Sequence, residues 1–308
     1  MKALVTGGAG FIGSNLADRL LADGHEVHVL DDLATGHAGN VPKKATFHKA
    51  SILDARALRK AIAGCEVVYH QGALGSVPRS VEDPVTSHEV NLTGTLRVLE
   101  AARAAGARKV VFAASSSAYG DTPTLPKHEG MVPAPLSPYA VTKLASEHYC
   151  AAYTKVYGLR TTALRYFNVY GPRQDPNGAY AAVIPRWILA ALGGDTLTVN
   201  GDGTQSRDFT YVADVVQANV LAGASGTSDG QMMNIGAAGR TDLNTLARQI
   251  VALAGSRSKV VHGPPRAGDV RDSQASLDRA RQLLGYRPTV ELKEGLRRTV
   301  EWFRENRA

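Results

Sequence analysis

Tyr139 and Lys143 stand four residues apart, with Ser137-Pro138 ahead of them as a helix N-cap and first helical residue. Residues at that separation share a helix face, so the ammonium can lie near the phenol and favour its phenolate. A free tyrosine titrates at about 10 and is a poor base at neutral pH unless cations lower it. Each unit of lowering needs about 1.4 kcal/mol of differential interaction. A helix N-terminus contributes about 0.3–1 kcal/mol in that direction. The Ser115-Ser116-Ser117 run ends an apolar, strand-like stretch, where a hydroxyl can hold a substrate oxygen. A serine, a phenol and a lysine so placed suit proton removal from an alcohol, the partner of a hydride transfer to an oxidised nicotinamide.

A second constellation supplies that nicotinamide. Thr6-Gly7-Gly8-Ala9-Gly10-Phe11-Ile12-Gly13 follows the apolar run Lys2-Ala3-Leu4-Val5 and leads into a helical pattern. Glycines at 7, 8 and 10 permit a tight strand-to-helix turn and bring backbone N–H groups close to a pyrophosphate, while Gly13 lets the helix lie against the sheet. The diphosphate then sits on the helix N-terminus, where unpaired N–H groups and the dipole favour negative charge. Asp31 closes the next strand, about 18 residues beyond Gly13, where a carboxylate accepts hydrogen bonds from an adenosine ribose. The same charge repels a 2′-phosphate, so NAD is expected over NADP. Asp32 can share the task.

The elements that must position these groups are legible as an alternation. Strand-like runs at 26–30, 66–70, 109–114 and 160–164 are separated by helical patterns at 11–21, 54–63, 84–105 and 138–157. Such alternation predicts a Rossmann-like doubly wound parallel sheet in an α/β fold with right-handed crossovers. After residue 172 the chain becomes Pro- and Gly-punctuated. Later strand candidates at 197–199 and 232–235, with helices near 212, 243, 278 and 292, predict a smaller C-terminal α/β lobe. The expected division is a cofactor domain over 1–172 and a discontinuous substrate domain over 173–308, with segments near 200–222 and 232–250 returning to the first.

The chain of 308 residues can bury a large core, and its two cysteines, Cys65 and Cys150, form no ligand-spaced cluster. Neither a metal site nor a disulfide framework is expected, and His70, His128 and His148 read as structural or exposed. The net charge of +7 is dispersed, with no dense basic run and no basic–aromatic interleaving, so anionic nucleotides rather than nucleic acid are the expected ligands. With no membrane-length apolar stretch and no basic-then-apolar leader, a soluble cytoplasmic protein with no membrane partner is expected.

Nucleotide turn, strand-end serine and Tyr139/Lys143 together resemble the extended short-chain dehydrogenase/reductase family. Within it the chain is similar over nearly its full length to the UDP-hexose 4-epimerases. The stretches that carry the resemblance are Ala114-Ser115-Ser116-Ser117-Ala118-Tyr119-Gly120, Ser137-Pro138-Tyr139-Ala140-Val141-Thr142-Lys143, Leu164-Arg165-Tyr166-Phe167-Asn168-Val169-Tyr170-Gly171-Pro172 and Arg207-Asp208-Phe209. The resemblance implies that Tyr139 removes the proton from the 4-hydroxyl while NAD takes the hydride. Lys143 also binds the nicotinamide ribose, Ser115 holds the reacting oxygen, and the 4-keto sugar turns over before hydride returns to its other face. It further implies cofactor contacts from Gly7, Gly10, Phe11, Ile12, Gly13, Asp31, Asp32, Ser51, Ile52, Gly72, Ala73, Asn91 and Tyr166. Sugar-nucleotide contacts are implied for Ser76, Ser116, Ala182, Val183, Thr198 and Asn200, for Asn168, Arg207 and Arg266 at the diphosphate, and for Asp269 near the uridine ribose. A homodimer is implied through the helix after Pro84 and the helix carrying Tyr139; Leu92, Leu96 and Leu99 are either that face or core.

Departures refine the expectation. Ser51 stands where many relatives carry an aspartate toward adenine, and Gly75 where glucose-type enzymes often carry a lysine near the cofactor. The stretch from Gln71 through Ser80 and Asp175-Pro176-Asn177-Gly178-Ala179-Tyr180 are similar to the subgroup acting on UDP-N-acetylhexosamines. Ser273 aligns with a pocket-wall position that is tyrosine in epimerases restricted to plain sugars, leaving room for an N-acetyl group. Ser116 and Ser117 stand where sugar-nucleotide 4,6-dehydratases carry Asp-Glu and decarboxylases a glutamate, so elimination lacks its acid/base pair. UDP-glucuronate epimerisation stays open, without a dedicated cation for its carboxylate. A non-catalytic NAD-binding sensor would not need both Tyr139 and Lys143.

Overall fold

The computed structural model describes residues 1–177, 181–265 and 270–306. Six strands alternate with helices through the first half: β1 (Lys2–Thr6), β2 (Glu26–Asp31), β3 (Thr46–Lys49), β4 (Val67–His70), β5 (Lys109–Ser115) and β6 (Arg160–Tyr166). The later strands are β7 (Val169–Tyr170), β8 (Leu197–Asn200), β9 (Ser206–Arg207), β10 (Thr210–Tyr211), β11 (Gln231–Ile235), β12 (Thr241–Asp242) and β13 (Val260–Gly263). Seven of them form one parallel sheet in the order β11-β6-β5-β4-β1-β2-β3. This is the doubly wound order, reversing between β1 and β4, with the expected α/β architecture. The edge strand β3 was not expected.

The helices are α1 (Phe11–Ala22), α2 (Ala55–Ile62), α3 (Val77–Glu82), α4 (Pro84–His88), α5 (Gly94–Ala104), α6 (Pro138–Tyr157), α7 (Val183–Gly193), α8 (Val212–Ala224), α9 (Leu243–Ala254), α10 (Asp278–Leu284) and α11 (Leu292–Glu305). Alternate residues of β1 face opposite sides: Ala3 and Val5 join a core with Leu16 and Leu20 of α1 and Val215 of α8, whereas Leu4 joins Leu58 of α2 and Val98 of α5. Burial on both faces explains why β1 reads as an unbroken apolar run. Each such side chain removed from water contributes about 1.5–3 kcal/mol. Cys65 and Cys150 are buried free thiols of the second core.

The stretch read as one helix over 84–105 is three pieces, α4, a π-helical segment at Glu89–Thr93, and α5. Leu99 lies in the core, which decides its role. Beyond β7, the chain adds β11 to the main sheet and packs α8 against α1, while α7, α9 and α11 pack together beside the β8–β13 pair.

Candidate active site

The parallel strands deliver their last residues to one crevice. Thr6, Asp31, His70, Ser115 and Tyr166 end β1, β2, β4, β5 and β6, on the carboxyl edge where doubly wound sheets bind ligands. A cleft of about 1100 Å³ opens there, lined by both glycine turn and catalytic candidates.

The glycine turn fits a dinucleotide. Gly7 has φ +69°, and a Cβ on it would lie 2.6 Å from Gly72 N; a Cβ on Gly13 would lie 2.2 Å from Gly7 O. Gly10 caps α1 without a side-chain bond, which leaves the first-turn N–H groups to an anion. Asp31 is buried, accepts N–H bonds from Ala9 at 3.0 Å and Leu33 at 2.8 Å, and faces the cleft. Burial raises its carboxyl above the ordinary range, and those N–H bonds oppose the rise. A carboxylate so held retains lone pairs for a ribose diol.

Ser137 Oγ accepts Ala140 N–H at 3.2 Å, so Ser137-Pro138 begin α6 as expected. Tyr139 N–H donates to Ser80 Oγ at 3.0 Å. The Ser115 side chain faces the Tyr139 hydroxyl and favours its ionised form. Ser115 Oγ also accepts from Ser117 N at 3.2 Å and Ser117 Oγ at 2.8 Å. Lys143 Nζ donates to Ala113 O at 2.8 Å and lies 5.9 Å from the Tyr139 ring centroid and 4.9 Å from that of Phe112.

The lowering of the phenol was expected from Lys143 acting together with an oxidised nicotinamide; the burial of Tyr139 by the protein acts in the other direction. Burial raises the Tyr139 hydroxyl above its ordinary value, with the Ser115 hydrogen bond opposing. The ammonium is turned to a main-chain carbonyl, and its own burial pushes it down to about 8, with Glu147 opposing. Glu147 in turn makes a buried two-bond pair with Arg165 at 2.9 and 2.7 Å.

Most of the remaining expected residues are brought together. Phe11, Ile12, Asp32, Ile52, Gly72, Ala73, Ser76, Ser116, Asn168, Ala182, Val183, Arg207 and Ser273 line the cleft. Tyr166 does too, with its hydroxyl bonded to Gln71, which opens the quoted 71–80 stretch, and to Asn219, which the sequence reading passed over. Thr198 and Asn200 line an adjoining cavity of about 280 Å³ that shares Asn168, Ala182, Val183 and Arg207.

Two cofactor candidates stand off the cleft lining. Asn91 is buried in the π-helical segment, where its amide accepts Leu74 N–H at 2.8 Å and donates to Leu74 O at 3.2 Å; it braces the loop after β4. Ser51 Oγ accepts Leu53 N–H at 3.3 Å within its own turn. Arg266, Asp269 and the Gly178-Ala179-Tyr180 part of the second motif lie outside the described residues. Arg79 and Lys127 also line the cleft and were not anticipated, although Arg79 sits within the quoted 71–80 stretch.

Sheet order, glycine cradle and tyrosine–lysine helix define an enzyme of the dinucleotide-dependent, short-chain type. The model of the NAD dependent epimerase/dehydratase family matches residues 3–236, and the chain belongs to that family. It is 46% identical to a UDP-glucose 4-epimerase of Mycolicibacterium smegmatis, covering 99% of both chains. Among solved structures, it resembles the UDP-glucose 4-epimerase of Thermotoga maritima with UDP-glucose at 40% identity and TM-score 0.96, covering 99% of each chain. It also resembles the UDP-N-acetylglucosamine 4-epimerase of Methanobrevibacter ruminantium in complex with UDP-N-acetylmuramic acid at 36% identity and TM-score 0.94, covering 99% of this chain and 98% of that one.

Proposed function

We propose that the protein inverts carbon 4 of UDP-hexoses with NAD and no net redox change, interconverting UDP-GlcNAc and UDP-GalNAc as well as UDP-glucose and UDP-galactose. The observation that carries the reading is the meeting of Tyr139, Ser115 and Lys143 at the cleft, with Ser116 and Ser117 where an eliminating enzyme needs carboxyl groups. Bound NAD supplies a hydride acceptor, and later donor, at carbon 4. The Tyr139 oxygen takes the proton of the 4-hydroxyl and gives it back to the inverted alcohol. Ser115 Oγ holds the reacting oxygen through both directions, and Lys143 binds the nicotinamide ribose and keeps positive charge beside the phenol.

Ser273, small and facing the cleft, supports room for an N-acetyl group. Ala182, Val183, Thr198 and Asn200 take the nucleotide end in the adjoining cavity, and Asn168 and Arg207 meet the diphosphate. Residues 1–172 with the returning strand β11 form the cofactor domain and most of 173–308 the substrate domain. Exposed apolar side chains on α3, α4 and α6 support a homodimer through those helices. No described helix is long and apolar enough to cross a membrane, and two free thiols suit the reducing cytoplasm, where we place the reaction.

Incubation with UDP-GlcNAc and with UDP-glucose, followed by analysis of the sugar released on hydrolysis, tests the reading. Tyr139→Phe is expected to cut epimerisation by about 10³-fold, within the range of a lost acid/base group, while UDP still binds. An unchanged rate in that variant overturns the proposal.

A further inference from the structure

Two segments far apart in sequence face the cleft together: the chain after β5, with Ser116, Ser117, Tyr119 and Lys127, and the stretch that carries Ser273. Neither belongs to the main sheet. Backbone bonds join them, Lys127 N–H donating to Gln274 O at 2.7 Å and Ser276 N–H to Lys127 O at 2.8 Å. Asn234, wholly buried on the edge strand β11, puts one amide into that junction. Its Oδ1 accepts the Tyr119 hydroxyl at 2.7 Å, and its Nδ2 donates to Lys127 O at 2.9 Å and to Ser276 O at 3.3 Å. Carbonyl oxygens can only accept, so the orientation of the amide is unambiguous.

Tyr119 is held from a second direction. Asn234 is paired in register with Arg165 of β6, whose guanidinium lies 4.6 Å over the Tyr119 ring. Arg165 is in turn fixed by Glu147, one turn beyond Lys143 on α6. Glu147, Arg165, Tyr119 and Asn234 are all buried, so each bond is strengthened by its dry surroundings and each loss strands a polar group. The contacts thus run from the helix of Tyr139 and Lys143 to both walls, and the walls meet at Asn234. We infer that Asn234 is a positioning residue for the sugar, fixing the spacing between Ser116 and Ser117 on one side and Ser273 on the other. It does not line the cleft and acts through Tyr119 and the two carbonyls. The inference deepens the proposed function and rests on its reading that the hexose lies between those walls. NAD and the uridine depend on other segments, the glycine turn and the adjoining cavity.

Asn234→Leu keeps the side-chain size and removes all three bonds. Calorimetric titration with NAD, UDP, UDP-GlcNAc and UDP-glucose tests the inference, with Tyr139→Phe present in both the reference and the variant chain so that nothing turns over. The dissociation constants of the two UDP-hexoses are expected to rise about tenfold or more, while those of NAD and UDP stay within twofold. The melting temperature falls as well, because the Tyr119 hydroxyl loses its acceptor, and a second variant separates stability from positioning. Adding Tyr119→Phe removes the stranded hydroxyl and is expected to regain part of the melting temperature without restoring UDP-hexose affinity, since the carbonyls of Lys127 and Ser276 stay untied. That chain also carries the test where Asn234→Leu alone is too unstable to titrate. Equal losses for UDP and the UDP-hexoses, no loss for any of them, or a sugar defect that disappears with the regained stability each overturn the inference. An unmodified chain that binds UDP-hexoses and epimerises none counts against the proposed function alone, whereas one that binds none overturns both.

Discussion

Ser273 holds a position where side-chain volume translates into substrate range. Its Oγ accepts a hydrogen bond from Asn168 Nδ2 at 3.1 Å, and Asn168 also donates to Asp208 O at 3.0 Å. The buried Asp208 carboxylate receives Ala275 N–H at 3.0 Å and Ala237 N–H at 2.9 Å, so the wall behind Ser273 is tied to two segments and has little room to retreat. A tyrosine there must project into the cleft. Overpacking of about 1–3 kcal/mol against an N-acetyl group corresponds to about a ten- to hundredfold loss. Ser273→Tyr is therefore expected to lower kcat/KM for UDP-GlcNAc by that factor and leave UDP-glucose turnover within a few fold, measured side by side. Persistence of both activities refutes the size argument. At this scale residue type and spacing were readable: Tyr139, Lys143, Ser115 and Asp31 all reach the cleft. Where the Lys143 ammonium points was not, because that is decided by the carbonyl of Ala113 on a neighbouring strand.

Strand β4 ends on His70, which ties three elements together. Thr95 Oγ1 donates to Asn91 O at 2.5 Å, so His70 Nε2, 3.0 Å away, must be the donor to Thr95. Nδ1 then accepts from Thr6 Oγ1 at 2.7 Å, which makes the ring a neutral Nε2–H tautomer. Burial, with Lys143 adding to it, pushes His70 down to about 3 from an ordinary 6.5. As pH falls the unfolded chain takes up this proton first, so the stability gained by a neutral buried His70 is complete above about 6.5 and is lost progressively toward 3. The melting temperature is expected to fall between pH 7 and pH 4.5, and the fall to be shallower in His70→Gln. Thermal melts across that range check it, and an identical slope in both chains counts against a neutral His70. The sequence showed this strand as an apolar run, since β1, β4, β5 and β6 are buried on both faces. It hid β3, an edge strand whose Thr-Phe-His-Lys is half exposed and pairs on one side only. The π-helical segment that seats Asn91 was hidden too, because one widened turn scarcely disturbs an apolar period of 3.6.

At the scale of the whole molecule, exposed large apolar side chains among the described residues gather on neighbouring helices. Val81 on α3, Val85 on α4 and Val141 on α6 are 64%, 72% and 51% exposed, and α3 and α4 both pack on α6. Tyr149 and Val156 continue the exposed set along α6, 8 and then 7 residues on, which is helical spacing for one stripe. The opposite side of the same helix carries Lys143, Ser146, Glu147 and Cys150 into the protein, so α6 presents an apolar stripe outside and the candidate catalytic side chains inside. A stripe of this kind on helices is covered economically by its own copy across a two-fold axis, where each residue meets the equivalent surface of the partner. Of the leucines that helical spacing had offered for this face, Leu99 is fully buried and Leu96 packs partly buried against the core. Valines at 81, 85 and 141 stood unremarked in sequence, since isolated β-branched residues on short helices look like ordinary core. Sedimentation of the unmodified chain is expected to give a dimer. Replacing Val85 and Val141 together by glutamate places carboxylates on both sides of the symmetric interface, each costing of the order of several kcal/mol to desolvate without a partner, and the double variant is expected to sediment as a folded monomer. A monomeric parent, or a dimer that survives both substitutions, would remove the interface from these helices.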